Sequence, residues 1–311
     1  GAPEVVVVDN GSRDGSVEAI EAEHRQVAVL RPGRNLGYAR AANLGAAATR
    51  APVVAVVNPD ATVAPGSAAA ILERFDADPH LGAVGPQILE PDGAVYPSAR
   101  RVPSTADALG HLVLGGIRPD NPATRRYRDL DAAPAVPREV DWVSGAAIWL
   151  RRAALDAVGG WDEGYFMYVE DVDLCWRLTG AGWGVAYEPG ARVVHVQGVS
   201  TARRPYRMVV AHHRSAYRFA SKRWRGPRRV LLPAVAAVLA AVAILVIFWA
   251  ISTPKRKSLR CGIFRKRSRG SARWPLIYGK MSWPVALQNL PPRKTPRHIS
   301  HCPNSRGTMI W

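Results

Sequence analysis

Cysteine is scarce in this 311-residue chain, with only Cys175, Cys261 and Cys302, far apart and in no CxxC or Cys/His ligand spacing. That excludes a disulfide framework and a thiolate zinc site, and it points to a reducing compartment. Acid is missing from the last 60 positions, which nevertheless hold 14 of the 42 Lys and Arg residues. The other 28 basic residues face all 25 acids, leaving a net +3 of the formal +17 on residues 1–251. The basicity therefore belongs to the tail, and no nucleic-acid partner is expected for the body. There is no GxGxxG and no GxxxxGK[ST], which argues against a dinucleotide dehydrogenase and a P-loop NTPase. No signal-peptide pattern precedes the first Val run, because the chain opens on Gly1-Ala2-Pro3-Glu4, and it reads as a fragment.

What is present alternates. Short β-branched runs at residues 5–9, 27–30, 53–58 and 82–89 are separated by Ala-rich helical patterns at 16–25, 36–49 and 66–75, the signature of βαβ units and a mostly parallel sheet. Continuous Val runs suit strands buried on both faces. Glu90-Pro91-Asp92-Gly93 reads as a hairpin turn, and the Pro/Arg-rich stretch 100–138 as a long loop with one short helix. Regular patterns resume at 140–150, at 153–158, in an acid-led helix from Glu170, and in strands at 183–187 and 192–196.

A basic helix at 205–224 then leads into residues 230–251, which carry no charge and one proline. At 1.5 Å per residue such a helix spans about 33 Å, enough to cross a hydrocarbon core; a buried helix of a soluble protein is the alternative. Residues 252–311 show no periodicity. They read either as a disordered basic tail able to touch anionic lipid or nucleic acid, or as residues not native to this protein; the abrupt loss of acid favours the second, and a nucleic-acid-binding role would rest on this tail alone.

Polar residues cluster where strands should end. Residues 5–8 run into Asp9-Asn10-Gly11-Ser12, and residues 53–57 into Asn58-Pro59-Asp60. In open α/β sheets ligands bind beyond the carboxyl ends of the strands. A strand-end Asp there suits a base N–H, a ribose hydroxyl or a hard cation bridging phosphates, although Asp-Asn-Gly-Ser is also an ordinary turn. Glu170-Asp171-Val172-Asp173 crowds three carboxylates into a helix start behind the aromatic run Tyr165-Phe166-Met167-Tyr168. Such acids either cap the helix or, with water excluded by the rings, serve as a general base. His195, in an apolar strand, is either a satisfied core residue or a ligand for a Mn²⁺-like ion.

Taken in order, the motifs around Asp9-Asn10-Gly11-Ser12, Asn35-Leu36-Gly37, Asn58-Pro59-Asp60, Gly145-Ala146-Ala147, Gly159-Gly160-Trp161-Asp162, Glu170-Asp171-Val172-Asp173 and His195 resemble the family 2 glycosyltransferases, over about residues 4–225. The likeness is closest to bacterial rhamnosyl- and galactofuranosyl-type members. It implies a GT-A fold, a mixed, mostly parallel sheet flanked by helices, and inverting transfer from a nucleoside diphosphate sugar, dTDP-rhamnose or a UDP-sugar, to a hydroxyl of a cell-envelope glycan or lipid-linked acceptor.

By the same resemblance Asp9, Ser12, Asn35 and Asp60 bind the donor, and Asp60 and His195 hold a divalent cation, Mg²⁺ or Mn²⁺. Asp171 is the catalytic base, Glu170 and Asp173 orient that base or bind acceptor hydroxyls, and Trp161 and Asp162 meet the acceptor. Asn58 stands where a strict DxD motif has its first Asp. The family's opening strand, at the centre of its sheet, has no counterpart in the sequence, so a truncated, non-catalytic remnant is the competing expectation.

The implied organisation is a GT-A domain at 1–204, a basic linker helix at 205–229, a transmembrane helix at 230–251 and a tail at 252–311. Nucleotide sugars are cytosolic in bacteria, which places the catalytic domain on the cytoplasmic face of the cell membrane. The basic flank at 222–229 agrees with that side, whereas Lys255-Arg256-Lys257 opposes it.

Overall fold

A computed structural model describes residues 3–102, 107, 110, 114, 118, 120–128, 135–196, 205–252 and 307–310. In chain order the elements are β1 (Glu4–Val8), α1 (Ser16–Glu23), β2 (Ala28–Leu30), α2 (Tyr38–Ala47), β3 (Val53–Val57), β4 (Ala61–Val63), α3 (Ser67–Ala77), β5 (Leu81–Leu89), β6 (Val95–Tyr96), β7 (Ala99–Arg100) and α4 (Pro122–Arg128). There follow β8 (Arg138–Glu139), β9 (Trp142–Val143), β10 (Ala147–Arg151), α5 (Arg152–Ala157), α6 (Glu170–Gly180), β11 (Gly184–His195), α7 (Pro205–Arg223), a 3-10 turn (Gly226–Leu231), α8 (Leu232–Ser252) and β12 (Gly307–Ile310).

The Val run of β3 is buried along its whole length because both faces of the sheet are covered. Val54 and Val56 point into a layer with Ala39, Ala42 and Ala46 of α2, Leu155 of α5 and Leu174 and Leu178 of α6. Val53, Ala55 and Val57 point into the opposite layer with Ile71 and Phe75 of α3. The main sheet runs β2-β1-β12-β3-β10-β5-β11-β4. β2, β1, β12 and β3 pair in parallel, as do β5 and β11, while β10 is antiparallel to both β3 and β5, and β4 to β11. The mixed, mostly parallel sheet expected from the sequence is thus present.

Consecutive arginines at the end of β10 tie the two helical layers to it. The Arg151 guanidinium donates to the carbonyls of Phe75 and Leu81, and that of Arg152 to those of Ala46 and Thr49, each at 2.8–2.9 Å. Phe75 and Ala46 lie in the last turns of α3 and α2, so each cation sits at the negative end of a helix, while Leu81 opens β5 and Thr49 follows α2.

The turn at residues 90–93 closes the β5–β6 hairpin, with Glu90 N–H on Ala94 O and Gly93 N–H on Glu90 O. The long loop after it holds α4, and its ends are pinned together where β7 pairs with β9. The two strands expected at 183–187 and 192–196 are one strand, β11, with an irregularity between Glu188 and Arg192.

Four residues of the tail lie in the sheet. Gly307–Ile310 forms β12, inserted in parallel between β1 and β3, with Thr308 opposite both Glu4 and Val54. A central sheet position whose neighbours both present unpaired ladders is a strong acceptor for any extended segment, since each buried backbone group left unpaired costs about 1–3 kcal/mol. The rest of the tail, 253–306 and 311, lies outside the described residues.

Candidate active site

Two strand ends open the site. At the end of β1, Asp9 accepts the Ser12 N–H at 2.8 Å, so one of its oxygens holds its own turn together. Asn10 reaches across to the loop before α2: its carbonyl accepts the Leu36 N–H at 2.9 Å and its amide donates to Gly37 O at 3.1 Å. Asn35 closes that loop by accepting the Gly37 N–H at 2.9 Å. Gly37 has φ 83°, and a Cβ there would collide with the Phe166 carbonyl, the group that the Tyr38 N–H binds at 2.8 Å. The segment leading to the acid helix α6 is therefore locked against the loop behind Asp9.

At the end of β3, Asp60 and His195 meet: Nε2 of His195 lies 3.0 Å from Asp60 Oδ1 and 3.4 Å from the Asn58 amide nitrogen. β4 pairing antiparallel to the end of β11 sets His195 opposite Ala61, one residue beyond Asp60. Among the described residues no group of three His, Cys, Asp or Glu side chains converges on one point. A carboxylate and an imidazole side by side nonetheless suit a hard divalent ion whose remaining ligands are diphosphate oxygens and water, since Mg²⁺ commonly binds through one or two protein groups.

The third part of the site is the acid pair. Asp171 Oδ2 accepts the Gly145 N–H at 2.9 Å, and its Oδ1 accepts the Val172 N–H at 2.9 Å. Tyr38 donates its hydroxyl to Gly145 O, and the Asn58 N–H donates to Ala146 O at 2.9 Å. The short turn at 145–146 thus joins Asp171 on one side to the Asn58, His195 and Asp60 cluster on the other through continuous hydrogen bonds.

Glu170 is buried, and its Oε2 has no partner among the described residues. Burial first, then the charge of Asp171, pushes its carboxyl up to about 8; burial also raises that of Asp171, against the two backbone N–H groups that favour its charge. Two carboxyls so placed hold one proton between them near neutrality, and the bonds to Gly145 and Val172 favour Asp171 as the ionised member. Tyr38, buried beside both acids, has its phenol pushed well up and stays a donor.

A stability consequence follows from Glu170. Its folded value lies above its ordinary 4.5, so the folded state holds the extra proton and stability falls as pH rises from about 4.5 to about 8. Glu170→Gln is expected to match the parent's melting temperature at pH 4 and to exceed it at pH 9. Thermal melts across that range check this, and a variant that loses stability uniformly contradicts it.

Two residues expected at the acceptor, Trp161 and Asp173, are buried. Trp161 is 1 % exposed and packs inside the sheet-and-helix core. Asp173 is 0 % exposed, and its oxygens are taken by Arg177 at 2.7 Å, Tyr165 at 3.2 Å and Lys222. Asp162 is committed to Arg218 and Lys222. Burial works to raise its carboxyl, but hydrogen bonds from those two cations prevail and hold it well below the usual carboxylate range.

Sequence reasoning missed Asn10, Tyr38 and Gly145 as parts of the site. Asn10 and Gly145 stand inside the motifs named above and Tyr38 directly follows one, but only the pairing of distant loops shows what they bind.

Comparison with known proteins decides the family. Residues 2–131 match the model of the glycosyl transferase family 2. An N-acetylglucosaminyl-diphospho-decaprenol L-rhamnosyltransferase of Mycobacterium tuberculosis (strain CDC 1551 / Oshkosh) is 44 % identical over 240 residues, covering 72 % of this chain and 78 % of that one. This chain belongs to glycosyl transferase family 2. Rhamnosyltransferase WbbL of Escherichia coli (strain K12) is 35 % identical to this glycosyltransferase over 98 residues, 32 % of the chain and 34 % of WbbL. The mannosyltransferase PcManGT from Pyrobaculum calidifontis, solved with GDP-Man and Mn²⁺, superposes with a TM-score of 0.46 at 18 % identity, covering 81 % of this chain and 67 % of that one.

One helix among the described residues is long and apolar enough to cross a membrane. It covers Gly226–Phe248, with 11 % of its most apolar window buried against the rest of the protein, and Ile244, Leu245 and Phe248 are each about two-thirds exposed.

Proposed function

We infer that this family 2 glycosyltransferase moves a rhamnose-like sugar, with inversion, from a nucleoside diphosphate donor such as dTDP-rhamnose to a hydroxyl of a lipid-linked acceptor bearing a glycan. The observation that carries this reading is the hydrogen-bonded path from Asp60 and His195 through Asn58 and the 145–146 turn to Asp171. That path supports reading Asp60 and His195 as a diphosphate-holding pair and Asp171 as a carboxylate base of one crevice, beyond the ends of β1 and β3. The family and the rhamnosyltransferase relatives supply the substrate class.

In this reading Asp9 and Asn35 face the nucleotide with the Ser12 turn beneath them. Asp60 and His195 hold a Mg²⁺ or Mn²⁺ ion that, when bound, offsets charge on the departing diphosphate. Asp171 takes the proton of the acceptor hydroxyl as that oxygen attacks C1 from the face opposite the diphosphate, while protonated Glu170 keeps a second negative charge away from the base. The exposed apolar helix α8 seats the protein in the cell membrane, with Arg223, Arg225, Arg228 and Arg229 at its entrance favouring the cytoplasmic side.

A thermal-shift screen of nucleoside diphosphate sugars with and without Mn²⁺ or Mg²⁺ tests this. The cognate donor should raise the melting temperature, more so with the ion, because a ligand at 100 times its Kd adds about 2.7 kcal/mol. Asp60→Asn and His195→Ala should abolish the ion-dependent part of the shift. No shift with any donor would contradict the reading. It would favour the remnant, to which one observation lends support: the central sheet position is held by only four residues of the tail.

A further inference from the structure

α6 begins from a strained turn. Tyr168 and Val169, immediately before Glu170, have φ of 69° and 68°. A β-branched residue in the left-handed region is a genuine outlier and persists only where its surroundings hold it. Part of those surroundings is the Gly37 and Tyr38 contact with Phe166, and the rest comes from α7, the helix that leads to the apolar segment.

Ser215 Oγ donates to the Met167 carbonyl at 2.9 Å, and the His212 ring meets Tyr168 edge-on with centroids 5.6 Å apart. Arg218 binds both oxygens of Asp162 at 2.8–3.1 Å and lies 5.3 Å from the Tyr165 ring centroid. Lys222 bridges Asp162, at 2.8 Å, to Asp173 on α6, and Phe219 packs edge-on against Trp176 of the same helix. At Gly164 a Cβ would strike the Arg218 guanidinium, so the loop passes as close to that cation as a backbone can. One face of α7 therefore touches the acid-bearing loop and helix at intervals of three to four residues.

We propose that Ser215, Arg218 and Lys222 are positioning residues for transfer, through which α7 fixes the strained 167–169 turn and so the placement of Glu170 and Asp171 beside Tyr38 and Gly145. This rests on the catalytic reading of the acid pair given above. None of the three touches the crevice residues Asp9, Asp60 or His195 in the hydrogen bonds of the structure, and each acts through Met167, Asp162 or Asp173. The same helix continues through Arg223 toward the apolar segment, so seating of that segment and placement of the base share one rigid element. The basic linker helix expected at 205–229 has one face turned inward, against the acid-bearing loop and helix.

The test compares full-length Ser215→Ala, Ser215→Thr and Lys222→Met with the parent in detergent. Two readouts are taken: steady-state transfer as a function of pH, and titration of the Glu170 carboxyl by ¹³C NMR with labelled glutamate, assigned with Glu170→Gln. Ser215→Ala is expected to lower kcat about tenfold while the donor KM stays within twofold, and to move the Glu170 midpoint away from the parent's, with Ser215→Thr restoring both. Lys222→Met should act in the same direction and more strongly.

The groups that act on Glu170 are Asp171 and the backbone of Tyr168 and of Glu170 itself, with Tyr38 alongside; none is substituted, and Tyr168 belongs to the strained turn, so a moved midpoint reports altered geometry. An unchanged Glu170 midpoint in both Ser215→Ala and Lys222→Met, each folded by its melting transition, overturns the proposal. That readout stands even if the parent transfers no sugar, in which case the catalytic reading fails while the positioning claim is still decided by the titration.

Discussion

Asp171→Asn lowers transfer by about 10³-fold with donor affinity changed by less than about twofold. General bases contribute on the order of 10²–10⁴ to rate, and the Asp171 oxygens are bonded to Gly145 and Val172 rather than to the donor's proposed contacts, Asp9, Asn35, Asp60 and His195. Asparagine keeps the shape but carries an NH₂ group where Asp171 accepts from either Gly145 or Val172, so one backbone N–H loses its partner. That costs about 1–3 kcal/mol, too little by itself to unfold a domain of this size.

A second signature separates lost charge from lost fold. With the Asp171 charge gone, the Glu170 carboxyl titrates lower, and the pH range over which stability falls moves down with it. Progress curves with a rhamnosyl donor and pH-dependent melts read both effects. A variant that keeps more than a third of parental turnover places the base elsewhere.

Deleting residues 307–311 is expected to be the most damaging truncation to stability. β12 is paired on both sides, to β1 from Thr308 to Ile310 and to β3 from Gly307 to Ile310, so its loss strips ladders from two central strands at once. At about 1–3 kcal/mol for each buried backbone group left unpaired, the sum approaches the whole stability of a domain. The truncated chain should lose its cooperative melt, and a peptide of residues 307–311 added in trans should restore it. An unchanged melting temperature refutes the pairing.

The same strand constrains the membrane arrangement. If α8 crosses a bilayer once, residues 253–311 emerge opposite β1 and β3, and residues 253–306 contain no uncharged run of about 20 residues to carry the chain back. A crossing α8 and a paired β12 therefore exclude each other within one molecule. The deletion should act fully on protein without a bilayer and not at all on protein inserted across one.

The parts of this fold legible in the sequence are those whose signal is local. The Val run of β3 announces burial on both faces, the Ala-rich stretch of α2 its helix, and the polar turns after β1 and β3 the crevice, because strand ends in parallel sheets collect ligand-binding groups. What sequence could not give depends on pairing between distant segments. Nothing in Ala147–Arg151 says that β10 runs antiparallel between β3 and β5, and nothing in Gly307–Ile310 says that four residues of a basic tail fill a central gap.

Residue type misled at Trp161 and Asp173. Aromatic and acidic side chains near a sugar site look like acceptor contacts, but Trp161 packs into the core and α7 seals Asp173 beneath Lys222. The pairing of Asp60 with His195, by contrast, was foreseeable from strand ends, since β4 and β11 bring them together by ordinary antiparallel register.

The central claim is that Asp9, Asp60, His195 and Asp171 surround one cleft for an activated sugar. A crystal structure with a bound nucleoside diphosphate sugar tests it most directly. The account predicts the base against Asp9, the diphosphate beside Asp60 and His195, and the anomeric carbon facing Asp171. A donor bound with its sugar turned away from Asp171, or seated outside the crevice at the ends of β1 and β3, would contradict it.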